Sequence, residues 1–321
     1  MAAACSAPQT TIDPQSDFAD SVQSVYLIVT VLAAIVFVIV MALVLVISIA
    51  FRERPGREAR QFDGNTRLEI LWTIIPVVIV IMIAIPTYIA IAETTKPPPP
   101  DALVIEVTGH QWWFEFEYAG LDLVVANEIH IPAGVPVSFN LRSADVIHSF
   151  WVPQLGGKVD MVPGHENNLW FTPHESAVRD EPYLGQCAEF CGLSHANMRF
   201  RVYVDTPADF EAWVAAQKAD RVEPATDALA AGEQLFLASA CIGCHTVQGT
   251  AAAGVIGPNL SHIASRGTIA AGIMDNNREN LIRWISNPEA VKPGVVLMPA
   301  FETLMTQEQI ESIADYLLSL Q

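Results

Sequence analysis

Residues 185–198 read GQCAEFCGLSHANM, which packs two cysteines, a histidine and a methionine into one short loop. A disulfide, a zinc clip and a redox-active metal compete to explain it. A disulfide between Cys187 and Cys191 leaves His195 and Met198 without a shared purpose. Zinc is content with thiolates and imidazoles and has no use for a thioether. Iron–sulfur clusters normally want more thiolates than this loop offers. Another histidine, His148, ends the run ADVIHSFWVP well upstream. Two thiolates, two imidazoles and a thioether form a soft donor set that suits copper. A single copper needs one cysteine, whereas two bridging thiolates hold a pair, with one histidine and one weak ligand per ion. Met198 is one weak ligand. The main-chain carbonyl of Glu189, between the cysteines, balances the site as the other. Such a unit is closed to substrate and carries electrons rather than remaking bonds.

The sequence before this loop has the texture of strands. ALVIEVTG reads as one, and WWFEFEY alternates, with Trp112, Phe114, Phe116 and Tyr118 on one face. Trp113, Glu115 and Glu117 take the other face, which predicts an exposed Trp113 on an acidic surface. Short segments punctuated by Pro and Gly follow, without a long helical pattern among them. A Greek-key β-sandwich over residues 96–205 is the expected architecture.

Towards the N-terminus, residues 24–51 carry no charge over 28 positions, roughly 42 Å of helix at the standard rise. Residues 70–92 form a second uncharged run, in which Pro76 and Pro86 are tolerable against neighbouring membrane helices. A transmembrane hairpin over 24–95 is expected, with residues 1–23 as a tail. The connecting segment holds Arg52, Arg54, Arg57, Arg60 and Arg67, while the leader has three aspartates and no Lys or Arg. The arginine-rich loop is therefore expected in the cytoplasm and both termini outside, in a bacterial plasma membrane. Glu69 opens the second span, where a carboxylate either snorkels to water or serves a proton path. The leader MAAACSAPQ is lipobox-like and suggests numbering that starts inside a longer precursor. Cys5 reads either as a lipidated N-terminus or as an incidental cysteine.

Beyond the sandwich, residues 206–227 read as a short helix and a polar linker. Residues 228–321 are helical in pattern and contain Cys241-Ile-Gly-Cys244-His245. This is the c-type haem attachment signature, two thiols for the vinyl groups and a proximal imidazole. TQEQIESIADYLLSL closes the chain as a capped helix with Ile310, Ile313, Ala314, Leu317 and Leu318 on its apolar face. So short a block buries little core alone, and a covalent haem supplies the missing apolar volume.

The 321 residues carry 35 acidic and 17 basic side chains. The hairpin loop takes five of the basic residues and three of the acidic ones, leaving 32 against 12 elsewhere. That field repels nucleic acid and favours basic protein partners.

LEILWTIIP, GHQWWFEFEY, DVIHSFWVPQLGGKVDMVPG and GQCAEFCGLSHANM together closely resemble subunit II of the haem–copper cytochrome c oxidases. The C-terminal block is similar to a class I cytochrome c, and the whole resembles the caa3-type oxidases. The resemblance implies a cupredoxin domain with a dinuclear Cu-A centre on His148, Cys187, the Glu189 carbonyl, Cys191, His195 and Met198. It further implies magnesium shared with subunit I through the Glu189 side chain. Trp112 matches the aromatic through which an external cytochrome c delivers electrons, although the family's Trp-Tyr-Trp is here Trp112-Trp113-Phe114. Asp145, Lys158 and Asp160 match residues lining the route to the subunit I haems, and Glu69 matches a carboxylate at the mouth of a proton channel. In the cytochrome block the resemblance makes Met298 the distal iron ligand, with Met305 a less suitable rival. It also has the Pro258 carbonyl accept a hydrogen bond from His245.

The implied partners are subunit I with haem a, haem a3 and Cu-B, subunit III, membrane lipid, and a cytochrome c or quinol-oxidising complex as donor. Oxygen reduction and proton pumping then belong to subunit I, since this chain lacks the multi-helix histidine array they require. A nitrous-oxide reductase would need a large soluble catalytic domain. A stand-alone membrane-anchored electron carrier would leave Glu189, Lys158 and Asp160 without a purpose.

Overall fold

The computed structural model describes residues 9–56 and 64–321. Cys5, Arg57 and Arg60 lie outside the described residues. Two compact units emerge, one of residues 20–97 and one of residues 1–19 with 98–321.

The smaller unit contains most of α1 (Asp17–Ala50) and all of α2 (Thr66–Thr94), both long and apolar enough to cross a membrane. The α1 helix begins seven residues before the uncharged run. The Ser16 hydroxyl accepts from the Ala19 N–H and Asp17 stands in the first turn, so cap and dipole, not hydrophobicity, set the start. Its 34 residues span about 51 Å. Asn65 caps α2 by accepting from the N–H groups of Arg67 and Leu68, and Pro76 and Pro86 lie inside that helix.

The larger unit opens with a β-sandwich. One sheet orders β3 (Leu123–Ala126), β2 (Trp113–Tyr118), β1 (Leu103–His110), β5 (Val137–Ser143) and β8 (Asn167–Phe171). The other orders β4 (Glu128–Pro132), β10 (Arg199–Asp205), β9 (Tyr183–Cys187), β6 (His148–Trp151) and β7 (Val159–Met161). The period of two decides what lies between them: Phe114, Phe116 and Tyr118 are fully buried. Phe114, Phe150 and Phe200 meet with centroids 4.8–6.4 Å apart, a mix of edge and stacked contacts that fixes the core.

Trp113 departs from the expected exposed face. It is half-buried and stacks on His110 at 4.3 Å, because a second domain covers this corner of the sheet. Gln15 and Ser16, just before α1, are also held on the sandwich, the Gln15 N–H donating to the Gln154 carbonyl at 2.8 Å.

After α3 (Pro207–Gln217) the chain becomes helical: α4 (Asp227–Leu237), α5 (Arg278–Ser286), the short α6 (Pro288–Val291) and α7 (Gln307–Leu317). Ile310, Ile313, Ala314 and Leu317 of α7 are buried in a separate core with Phe236, Leu281 and Ile285. Gly232 of α4 lets the helices meet closely, since a Cβ there would lie 2.9 Å from Tyr316 Cβ.

This domain docks on the sandwich through fixed polar contacts. The Glu128 carboxylate accepts from the N–H of Gly267 at 2.9 Å, the N–H of Thr268 at 2.7 Å and the Thr268 hydroxyl. Arg201 donates to the Gly272 carbonyl at 2.8 Å, and the Ser194 hydroxyl to the Pro293 carbonyl at 2.6 Å.

Candidate functional site

Strand β9 delivers Cys187 at its end, and the loop after it returns Cys191, His195 and Met198 to the same point. The two sulfurs are 3.7 Å apart. His148 Nδ1 lies 3.9 Å from Cys187 Sγ, and His195 Nδ1 lies 3.6 Å from Cys191 Sγ, one imidazole per thiol. The Glu189 carbonyl is 3.2 Å from Cys187 Sγ, and Met198 Sδ is 3.9 Å from Cys191 Sγ. Both cysteines, His148 and Met198 are buried, and His195 is half-buried. Spacing and softness fit copper, with one strong nitrogen and one weak donor on each side of a sulfur pair.

Electrostatics around the pair support metal binding. The hydrogen bond between the sulfurs makes them titrate as a unit, pulling Cys187 down and pushing Cys191 up. A bound cation would take the place of the proton between the sulfurs, and Cys187 and Cys191 would then hold it as thiolates. Burial opposes charge on His148, but its hydrogen bonds to Cys187 and Asp145 outweigh this and raise its pKa. Asp145 Oδ1 sits 2.8 Å from His148 Nε2 and fixes the ring so that Nδ1 faces the sulfurs. Asp145 Oδ2 also accepts from the Gln111 N–H at 2.7 Å.

Two residues that the sequence did not single out shape this centre. Gly109 leaves room for the His148 ring, since a Cβ there would approach its Cδ2 to 2.8 Å. Gln111 donates from Nε2 to the Cys191 carbonyl at 2.7 Å. Both fall inside GHQWWFEFEY, but that motif assigns them no role; the roles come from their contacts with His148 and the Cys191 carbonyl.

The second centre is a cavity of about 1300 Å³, counting its open mouth. Cys241, Cys244, His245, Pro258 and Met298 all line it, among apolar side chains such as Leu260, Leu281 and Phe301. His245 Nδ1 donates to the Pro258 carbonyl at 2.8 Å, which leaves Nε2 free for an axial ligand. Burial lowers the His245 pKa, against the opposing pull of that carbonyl, so the ring is held neutral. Gly257 permits the approach, because a Cβ there would meet His245 Cε1 at 2.6 Å. Paired thiols, a neutral imidazole and a thioether around an apolar void fit a covalently attached haem. Met305 packs partly buried against the helical core and does not line the cavity.

Trp112 joins the two centres. Its indole N–H donates to the Cys191 carbonyl at 2.9 Å, and its ring also lines the haem cavity. Only 7% of it is exposed, and a Cβ on Gly294 would touch the ring at 2.7 Å. An external protein therefore does not reach it; the neighbouring domain does. Strand β7 pairs with β6, so that Asp160 stands opposite Ser149, the neighbour of His148. Lys158 and Asp160 are exposed on or beside β7, and Glu69 is exposed in the first turn of α2.

Family models match three successive parts of the chain. Residues 9–89 match the transmembrane domain of cytochrome c oxidase subunit II, residues 121–204 its periplasmic domain, and residues 229–321 cytochrome c. Cytochrome c oxidase subunit 2 of Alkalihalophilus pseudofirmus is 38% identical over 319 residues, covering 97% of this chain and 91% of that one. The Bacillus subtilis subunit 2 is 31% identical, with 97% and 92% covered. Among solved structures, the periplasmic domain of subunit II from Bradyrhizobium japonicum is similar at 29% identity and a TM-score of 0.35, covering 38% of this chain and 97% of that one. The chain belongs to the cytochrome c oxidase subunit II family, in the caa3-type form that carries a C-terminal cytochrome c domain. It is a two-pass membrane component of an oxidoreductase complex, with a cupredoxin-like sandwich of a copper-binding family and a haem c domain.

Proposed function

We propose that this chain carries electrons from an external donor, through haem c held by Cys241, Cys244, His245 and Met298, to a dinuclear Cu-A centre. From Cu-A they pass to haem a of subunit I, where haem a3 and Cu-B reduce oxygen to water and protons are pumped. The chain itself does not reduce oxygen. The observation that carries this reading is Trp112, which borders the haem cavity and hydrogen-bonds a copper-ligand residue. The donors sit in matched pairs about the two sulfurs, which favours two ions over one.

On this reading the exposed Glu189 side chain helps hold magnesium against subunit I. Asp145, Lys158 and Asp160 line the way to its haems, with Asp145 already bonded to His148. Glu69 takes protons at the mouth of a channel. The arginine-rich loop faces the cytoplasm, both redox domains lie outside, and subunit III completes the complex. A cytochrome c or a quinol-oxidising complex reduces the haem.

Metal analysis and spectroscopy of the intact complex test this. Two coppers and one covalent haem per chain are expected, with the copper hyperfine pattern of one electron shared equally by two nuclei. Zinc in place of copper, or a single-ion pattern, would overturn the reading. Co-purification with a large haem a-containing membrane subunit separates an oxidase subunit from a stand-alone carrier.

A further inference from the structure

In a chain so rich in carboxylates, no Asp or Glu among the described residues lines the haem cavity, whereas two cations do: Arg266 and Lys292. Arg266 donates to the Asn259 carbonyl. Lys292, at 3% exposure, reaches across the domain boundary and donates to the Trp112 carbonyl, with the Ala270 carbonyl 3.3 Å away. Neutral carbonyls are its only acceptors among the described residues. A buried ammonium with no anion within hydrogen-bond reach is costly, and that burial pushes Lys292 down to about 7, against the opposing pull of Cys191. A counter-ion within hydrogen-bond reach would have to be anionic, enter the cavity and lie beside Trp112 and Ala270. A haem has two carboxylates on one edge.

We infer that Lys292 is a positioning residue bridging the two redox centres, its ammonium paired with a haem carboxylate on one side and holding the Trp112 main chain on the other. With that pairing the carboxylate edge of a bound haem would face the sandwich. Loop Lys292–Gly294 serves the same geometry, for Ser194 binds the Pro293 carbonyl and Gly294 lies against the Trp112 ring. The inference rests on the haem proposed above.

The test uses the intact complex carrying Lys292→Met, which keeps much of the side-chain volume and removes the charge, beside Lys292→Arg. Losing a cation beside the haem favours the oxidised iron, so Lys292→Met should shift the haem midpoint potential downward and slow haem-to-copper transfer several-fold. Direct reduction of the copper by a small reductant, and its hyperfine pattern, should stay as in the parent. Lys292→Arg should restore the potential. An unchanged potential in Lys292→Met overturns the inference, as does an equal shift in both variants. If Lys292→Met fails to assemble, cryo-electron microscopy of the unmodified complex decides. A haem carboxylate within hydrogen-bond reach of Lys292 Nζ supports the inference, and one beyond reach overturns it. Absence of covalent haem would instead defeat the underlying functional reading.

Discussion

Gly109 shows how closely single residues bound the copper site. It is a glycine near the end of β1, still paired with Ser143 on β5 and Phe114 on β2, where a larger side chain would normally be favoured. The His148 ring occupies the space a side chain would need. Gly109→Val should force that ring away from the sulfurs at a strain of about 1–3 kcal/mol. Copper content measured on the purified complex should fall while covalent haem stays at parent level; full copper retention would contradict this. The donor side chains that the structure brings together were legible in the sequence because bond chemistry limits which side chains suit copper. Gly109 and Gln111 were not, since their importance lies in a cross-strand neighbour.

At the scale of elements, periodicity carried most of the information. The alternation of WWFEFEY and the three-to-four spacing along α7 both place the observed buried faces, apart from Leu318, which is only partly covered. Thr306 and Gln309 form the capping box that the sequence suggests. Thr306→Ala should cost about 1 kcal/mol, read as a lower melting temperature of the cytochrome domain followed by its haem absorbance. An unchanged melting curve would mean that the docked sandwich, not the cap, holds this helix. Trp113 and the start of α1 were misjudged for related reasons. A strand's polar face is assumed to meet water, and an uncharged window locates hydrophobicity, whereas a neighbouring domain and a serine cap decided these cases.

For the whole molecule, the decisive feature is that the cytochrome domain is docked, not merely tethered. Glu128 stands at the centre of that contact, with both oxygens accepting from Gly267 and Thr268. Glu128→Ala removes the acceptor of two part-buried N–H groups, at up to about 1–3 kcal/mol each where water does not replace it. Hydrogen exchange over residues 267–272 should rise and haem-to-copper transfer should slow, with each centre's own spectrum intact. Exchange protection equal to the parent would show that Glu128 does not hold the interface. The acidic excess acts over longer range. Reduction of the haem by a basic soluble protein should slow steeply as salt rises, whereas transfer from haem to copper should ignore salt, because that step is internal. Stopped-flow traces at several ionic strengths separate the two phases.

The sequence by itself determined the two apolar helices, the strand-rich and helical blocks, and which soft donors and which CxxCH motif are candidates for copper and haem. Each depends on composition, short-range period or the intrinsic chemistry of a side chain. Only the tertiary structure decided that Trp112 is shared between the two centres, that Trp113 is covered, and that Lys292 crosses from one domain to the other. Those facts arise where chain segments distant in sequence meet, 79 residues apart for Trp112 and Cys191 and 180 for Lys292 and Trp112, and docking surfaces leave no periodic trace in the sequences that form them.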